Sequence, residues 1–356
     1  MVERLEMRKP RVVWLALEWP ADHVHVGGVG RYLMRLADSV SQHVELTIVT
    51  LEGASRISNV NFVEVPRPGG RFGRYYRAPI SARRAISGIR YDALHCHGDD
   101  WATVGLSRYI RTYYGSSLSE ARSSSGARRV NHYVLGLLEH FGTRHAVRRL
   151  AIAPESMNEF RCHDLTPPLS GLTFEPDGKR TNDPSAIFIG SFEGRKRGKM
   201  VLRAVERARA ALGDGIQLSV VGPSADAEHW PSWVNHVSDA TDEEVDTLIR
   251  RSWVLLAPSS YEGFGIPIIE GLSRGLRVIA SPNPGHCFTS GLDKSGALPL
   301  RLVSDSDFDA TVLSSIASGP QLSPSEKQAS ASVISHLAAI SDPMSIVGMY
   351  IELVKS

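Results

Sequence analysis

The sequence predicts an α/β protein with two doubly wound parallel sheets, on three observations. Short apolar runs alternate with stretches of helical period along the whole chain, the pattern of strands buried on both faces beneath crossover helices. The 356 residues suffice for two domains that each bury a core. From about Phe160 to Asp183 the periodicity lapses, with Pro167-Pro168, Pro176, Asp177-Gly178 and then Pro184, which marks the passage between domains. The domains are placed at residues 1–165 and 185–335, with 166–184 as linker and 336–356 as a C-terminal helix.

Arg11–Glu18 (RVVWLALE) is nearly continuous in apolar residues and reads as a buried strand. A loop carrying Gly27, Gly28 and Gly30 follows, then a helix over Arg31–Val40. Val44–Leu51, Phe62–Val65 and Ala93–His97 read as strands, Arg129–Thr143 as a helix and Ala151–Ala153 as a short closing strand. The second half repeats the theme: strand Ala186–Ile189, helix Met200–Leu212, strand Gln217–Val221, helix Glu243–Arg250, strand Val254–Leu256, helix Ile268–Arg274 and strand Arg277–Ala280. Residues 323–356 have helical character.

The net charge of +2 conceals an asymmetry: residues 1–150 carry 22 Lys+Arg against 13 Asp+Glu, a net of +9, and the remainder 18 against 25, a net of −7. A basic first half points to an anionic contact such as a sugar phosphate, a phospholipid surface or a carboxylated acceptor. No nucleic-acid motif accompanies the basic residues, so nucleic acid is not expected as a partner. No run of eighteen apolar residues is present, so no membrane-spanning helix is expected. Met1–Lys9 is charged and lacks an apolar signal core, which predicts a cytoplasmic protein. Cys96, Cys162 and Cys287 are too widely spaced for a disulfide framework or a cysteine zinc site.

The chemistry concentrates in Tyr261-Glu262-Gly263-Phe264-Gly265-Ile266-Pro267-Ile268-Ile269-Glu270, directly after the apolar run Trp253–Ala257. Gly263 and Gly265 permit close approach of backbone to a ligand. A helix starting near Pro267 turns its free N–H groups and positive dipole end toward the loop, which favours a phosphate. Two glutamates around an anion-binding turn make sense if each binds hydroxyls, as in a nucleotide sugar.

Together with Gly271–Ser281 (GLSRGLRVIAS), this run resembles the donor-site motif of glycosyltransferase family 4, retaining enzymes of GT-B fold that read E-A-x-A-x-G-x-P-V-I-A here; Arg277 stands where proline is usual. The resemblance implies two Rossmann-like domains facing a cleft, with Val347–Lys355 crossing back onto the first. It implies that Glu262 binds hydroxyls of the transferred sugar and Glu270 those of the ribose. The backbone of Gly263, Phe264, Gly265, Ile266 and Pro267 would then hold the diphosphate.

Four further segments matter. His25–Arg31, completed by Leu36-Ala37, matches the family's glycine-glycine opening, which implies that Gly27 and Gly28 lie near the donor phosphate; a helix-entry loop without a ligand is the plainer alternative. His95-Cys96-His97 ends a strand, where open α/β sheets place ligand contacts. Its H-x-H spacing has no third ligand at site-like spacing. The resemblance gives His97 alone a role, facing the transferred sugar, against the alternative of a structural histidine.

In Gly190–Lys199, Ser191 occupies the family's arginine position and Arg197 its lysine position. Arg197 can still clamp a diphosphate bidentately, with Lys196 or Arg195 as a second charge; a solvated basic turn is the alternative. Arg111–Gly115 resembles the family's T-x-H-G turn with Tyr114 replacing histidine. The serine-rich 116–129 that follows reads as a mobile loop over the acceptor pocket or as a disordered connector. Asp305-Ser306-Asp307 looks like the D-x-D metal motif of the other glycosyltransferase fold, but no strand leads into it and it is set aside.

The resulting expectation is retaining transfer of a sugar from a nucleotide diphosphate, UDP- or GDP-linked foremost, to a hydroxyl of a glycan, lipid-linked or small-molecule acceptor. Glu262, His97 and Arg197 carry the chemistry, with no cofactor beyond the donor and no metal. The basic run Arg67–Arg90 adds a peripheral contact at the inner membrane face, beside the alternative of a solvated basic face. A sugar epimerase or hydrolase using the same donor is the second reading. A catalytically silent subunit is the third, with Ser191 and Tyr114 as its signs.

Overall fold

A computed structural model of the chain describes residues 8–21, 28–123, 126–167, 169 and 171–355. The chain divides into two compact units, one formed by Met1–Ser170 with Ile340–Ser356 and the other by Gly171–Ala339.

The first unit runs β1 (Arg11–Leu15), α1 (Gly28–Ser41), β2 (Glu45–Leu51), β3 (Val60–Val65), α2 (Gly70–Phe72), α3 (Ala78–Ser87), β4 (Ala93–Cys96), β5 (Tyr109–Tyr113), α4 (Ser117–Ser123), α5 (Gly126–Thr143), β6 (Ala146–Ala151), α6 (Pro154–Glu159) and β7 (Asp164–Leu165). Its sheet is parallel in the order β3-β2-β1-β4-β5-β6-β7. The apolar continuity of β1 follows from its central place. Val12, Trp14 and Ala16 pack on one face with Leu33, Leu36 and Val40 of α1. Val13, Leu15 and Leu17 pack on the other with Ala78, Ala82 and Ile86 of α3. A strand covered on both sides has no polar face to show.

The second unit runs β8 (Ser185–Ile189), α7 (Gly198–Leu212), β9 (Gln217–Val221), β10 (Val234–Val237), α8 (Asp242–Arg251), β11 (Val254–Ala257), α9 (Ile266–Ser273), β12 (Arg277–Ala280), α10 (Pro284–Gly291), β13 (Leu300–Leu302), α11 (Phe308–Ala317) and α12 (Pro324–Ile340). This sheet is also parallel, in the order β10-β9-β8-β11-β12-β13. Helix α8 shows how local sequence sets a boundary. Thr241 caps Glu244 N–H, Glu244 reaches back to Thr241 N–H, and Arg250 and Arg251 close the last turn. The last helix, α13 (Pro343–Lys355), belongs to the first unit and buries Ile346, Val347 and Tyr350 in the same core as α1.

Several expectations change. The stretch 116–129 is not an open loop among its described residues. Ser116 Oγ accepts the N–H groups of Leu118 and Ser119 at 3.1 and 3.3 Å, which caps α4. Leu118 packs so closely on Gly136 of α5 that a Cβ there would lie 2.5 Å from its Cδ2. Arg111–Tyr113, expected in a turn, lies in the buried strand β5 between β4 and β6. The linker from residue 171 onward belongs to the second unit. Arg180 donates to the carbonyls of Arg250 and Gly275 at 2.8 and 3.0 Å. Glu175 pairs with Arg250 and Arg274. These are contacts to carbonyls and charges, which hydrophobic periodicity does not register. Pro324–Lys355 is long and apolar enough, by length and composition, to cross a membrane. It breaks after Ile340 into α12 and α13 and buries Val333, Ile334, Leu337, Ile346, Val347 and Tyr350.

Candidate functional site

In the second unit β8 and β11 are neighbours whose onward connections run in opposite directions across the sheet, to β9 and to β12. The ends of such strands are where an open parallel sheet leaves a crevice. The loops after these strands carry Lys196 and Glu262. Glu262 is 11% exposed and sits 2.7 Å from Lys196 Nζ and 3.0 Å from Arg195 Nη1. Arg195 also donates to the carbonyl of Tyr261 at 2.9 Å, and Ser260 N–H donates to the carbonyl of Arg195 at 2.9 Å. The two loops are therefore stitched together at backbone level. Burial opposes ionisation of Glu262, yet the two cations outweigh it and hold the carboxyl below its ordinary range.

Gly265 enters α9 at φ +81°, and a Cβ there would meet His286 Cδ2 at 2.8 Å. Gly285 of α10 lies under the same loop, donating to Glu262 O at 3.0 Å, with room for no Cβ beneath the Phe264 backbone. Phe264 is buried against Phe288. The first turn of α9 leaves N–H groups without intrahelical acceptors. Pro267 supplies none of them; it lies in that turn, where its fixed φ suits the helix. Glu270 lies on α9, about one turn beyond the loop, and is partly exposed.

Sequence reasoning missed His286. Its Nδ1 lies 2.8 Å from the Ser281 carbonyl and 2.9 Å from Asn283 Nδ2, and its Nε2 edge lies beside Gly265. Burial keeps this ring neutral at lower pH than usual, against the pull of the Ser281 carbonyl and Glu262. With Lys196, Ser259, Glu262 and Pro267 it lines a small cavity. No spacing rule singles out a histidine on α10; only the fold brings it there.

Arg197 takes the left-handed conformation, φ 62°, at the entry to α7. Its guanidinium pairs with Asp305, the residue set aside with the D-x-D reading. The structure thus gives Asp305 a local partner that sequence spacing did not suggest. Ser191 Oγ donates to the Glu193 carbonyl at 2.8 Å and stabilises the turn itself.

In the first unit Gly27 lies outside the described residues, and Gly28 is the first residue of α1. His97 follows β4 with 2% exposure, and its N–H is bonded to Leu15 O at 2.8 Å. The His95 and His97 ring centroids lie 4.0 Å apart, with the planes tilted by 32°. His97 Nδ1 lies 2.7 Å from the Tyr114 hydroxyl, so the tyrosine in the family's histidine place bonds the neighbouring functional candidate. His97 Nε2 is buried with no hydrogen-bond partner among the described residues. Burial, then the neighbouring His95 and Arg111, hold His97 neutral well below the usual histidine range. Beside it, buried Arg111 pairs with Asp100 at 3.2 Å. Glu139, 3.9 Å from the same guanidinium, is pushed up to about 7 by burial. Among the described residues no three His, Cys, Asp or Glu side chains converge to hold a metal.

The basic run Arg67–Arg90 is partly consumed internally. Arg74 pairs with Asp99 at 3.2 Å, Arg83 donates to the carbonyls of Ala102 and Val104, and Arg67 to that of Glu52.

Comparison with known proteins agrees with this fold. Residues 26–168 match the model of Glycosyltransferase Family 4 and residues 172–298 that of Glycosyl transferases group 1. A 106-residue stretch is 29% identical to O-antigen chain mannosyltransferase B of Escherichia coli, covering 27% of this chain and 28% of that relative. Among solved structures, WaaG, a glycosyltransferase involved in lipopolysaccharide biosynthesis, matches at TM-score 0.70 and 16% identity over 95% of this chain and 99% of that one. Sucrose-phosphate synthase from Thermosynechococcus elongatus matches at TM-score 0.71 and 17% identity over 98% of each chain. Anabaena HepE in complex with UDP and glucose matches at TM-score 0.65 and 13% identity over 98% of this chain and 100% of that one. With two Rossmann-like units of GT-B type and family models matched along both, the chain belongs to the group 1 glycosyltransferases of family 4.

Proposed function

We propose that the protein transfers a hexosyl group from a UDP- or GDP-sugar to a hydroxyl of a glycan, glycolipid or small-molecule acceptor, with retention of anomeric configuration. The observation that carries the reading is the convergence of Glu262 with Lys196 and Arg195 at the β8/β11 switch point. There a carboxylate poised to accept sugar hydroxyls sits beside cations poised for a diphosphate. Glu262 binds the transferred sugar and Glu270 the ribose. Arg197, Lys196 and the amides of Phe264, Gly265 and Ile266 stabilise charge on the departing diphosphate, the contribution expected to dominate the rate. Gly27 and Gly28 approach the donor phosphate, and His97 bonds the transferred sugar. The departing phosphate oxygen accepts the acceptor's proton as the new glycosidic bond forms on the same face. Because basic side chains and a helix end supply the compensating charge, the reaction needs no metal. The family match and the short match to a mannosyltransferase support this reading.

The enzyme works in the cytoplasm and contacts the membrane peripherally. Support for the contact comes from α5, where Val130, Tyr133, Val134, Leu137 and Phe141 recur at helical spacing and are exposed, Leu137 by 72%. Arg128 and Arg129 precede the stripe in sequence, and Tyr76 bonds Asn131 at 2.8 Å, bringing the basic segment around Arg77 beside it.

The test is thermal stabilisation by UDP-, GDP-, ADP- and dTDP-sugars, with slow release of nucleoside diphosphate. One nucleotide family should stabilise the wild type and release diphosphate, and Glu262→Ala should lose that release. Turnover by Glu262→Ala equal to wild type sinks the assignment.

A further inference from the structure

The first unit contains a buried polar chain that the reaction described above does not use. Trp14 Nε1–H donates to the Tyr350 hydroxyl at 2.9 Å, and the same hydroxyl lies 2.6 Å from His95 Nδ1. On the other side of that ring, His95 Nε2 lies 2.8 Å from Thr112 Oγ1. All four residues are buried, at 1% exposure or less. An indole nitrogen can only donate, so it occupies a lone pair of the phenol oxygen. The phenol's proton is then directed at His95 Nδ1, which must accept, and His95 keeps its hydrogen on Nε2 and donates it to Thr112. One tautomer satisfies every atom. The other would set two hydrogens against each other at 2.6 Å or leave a buried phenol proton without an acceptor.

The His95 ring also lies against that of His97, at 4.0 Å between centroids, while Trp14 closes on the His97 ring at 4.4 Å. The hydroxyl of Tyr114 meets His97 Nδ1 at 2.7 Å, and Nε2 is the buried polar atom left without a partner. Buried polar atoms without partners are uncommon and mark where a ligand can bond.

We propose that Tyr350, on the C-terminal helix, is a positioning residue: it fixes the ring plane and tautomer of His95 and, through His95 and Trp14, the seat of the His97 ring, so that His97 presents Nε2 to a ligand. The inference rests on the reading that His97 bonds the transferred sugar.

The test uses the full chain and three variants, Tyr350→Phe, Thr112→Val and His97→Ala. Nitrogen-15 imidazole NMR at neutral pH reports tautomers without any substrate. The wild type should show His95 protonated at Nε2 alone, and Tyr350→Phe should shift it toward a mixture. Diphosphate release from whichever nucleotide sugar stabilises the wild type should fall roughly tenfold in kcat for Tyr350→Phe with donor KM unchanged. Unchanged His95 signals in a folded Tyr350→Phe protein overturn the proposal, as does full turnover in that variant when His97→Ala is impaired. If His97→Ala turns over normally, the role of His97 on the sugar fails, whereas the tautomer readout still tests the coupling. Should Tyr350→Phe not fold, Thr112→Val breaks the same chain at its other end and must alter the His95 signals and kcat in the same sense; a silent Thr112→Val then overturns the coupling.

Discussion

Glu262 Oε1 and Lys196 Nζ lie 2.7 Å apart, joining the loops that follow two adjacent strands of one sheet. Both groups are largely withdrawn from water, at 11% and 20% exposure. A ligand that takes the lysine must therefore leave the carboxylate another donor, and a sugar hydroxyl meets that requirement. Glu262→Gln keeps the shape but removes the charge. Its kcat/KM should fall roughly 10- to 100-fold, the worth of a hydrogen bond to a charged group, as read from diphosphate release.

Asp305 holds the Arg197 guanidinium that the proposed diphosphate site would use. The carboxylate is 65% exposed, so the pair is weak in water. Asp305→Asn should lower donor KM by up to about fivefold with little change in Tm, and Arg197→Ala should raise it. An Asp305→Asn KM equal to wild type means that the ion pair does not restrain the arginine.

Glu139 couples stability to pH. Its ordinary value is 4.5 and burial raises it to about 7, so between those values the folded state keeps a proton that the unfolded chain has lost. Stability should fall as pH rises through that window, by at most about 1.4 kcal/mol per unit. Glu139→Gln still accepts the Ser117 N–H, donated at 3.0 Å, and should flatten the slope in denaturant titrations. His95, lowered to about 3 by burial, acts oppositely: stability it contributes above pH 6.5 is lost as pH falls toward 3.

Gly265→Ala forces a Cβ into the left-handed region at φ +81° and against the His286 ring. The conformation alone costs about 1–2 kcal/mol, so Tm should drop by a few degrees. Donor affinity should drop further, because the same turn presents the amides of α9. A loss of stability with unchanged donor affinity would separate the loop from the donor.

Leu137→Asp places a charge in the middle of the exposed α5 stripe. Sedimentation with vesicles containing phosphatidylglycerol should show wild-type binding and its loss in the variant, with diphosphate release from soluble donor unaffected. Equal binding by both would remove α5 from the membrane contact.

What could be read in the chain follows physical range. β1, β11 and β12 were legible because strands buried on both faces spell continuous apolar runs, and the 261–270 loop because glycines, proline and glutamates there each have a local reason. β10 (VNHV) and β13 (LRL) were not, being short edge strands with polar members. Residues 116–129 misled because serines that cap and pack look like serines in solution; the deciding facts are Ser116 Oγ at the start of α4 and Leu118 against Gly136. Among the candidate residues Glu262, Lys196 and His97 stood out, while His286, Tyr350 and the pairing of Asp305 with Arg197 did not. Their partners lie on distant elements, and no spacing encodes that distance.

The bond from Trp14 to Tyr350 joins positions 336 residues apart in the chain. Trp14 leaves the ribosome before Tyr350, with the whole of the second unit made between them. During synthesis the core around Trp14 and α1 must wait for Ile346, Val347 and Tyr350 while a complete domain is added behind it. Chains that end prematurely before α13 expose Trp14 and the α1 face, an apolar surface suited to capture by chaperones or proteases. The first unit is thus closed by a helix made only after the second, so its core is completed across an intervening domain.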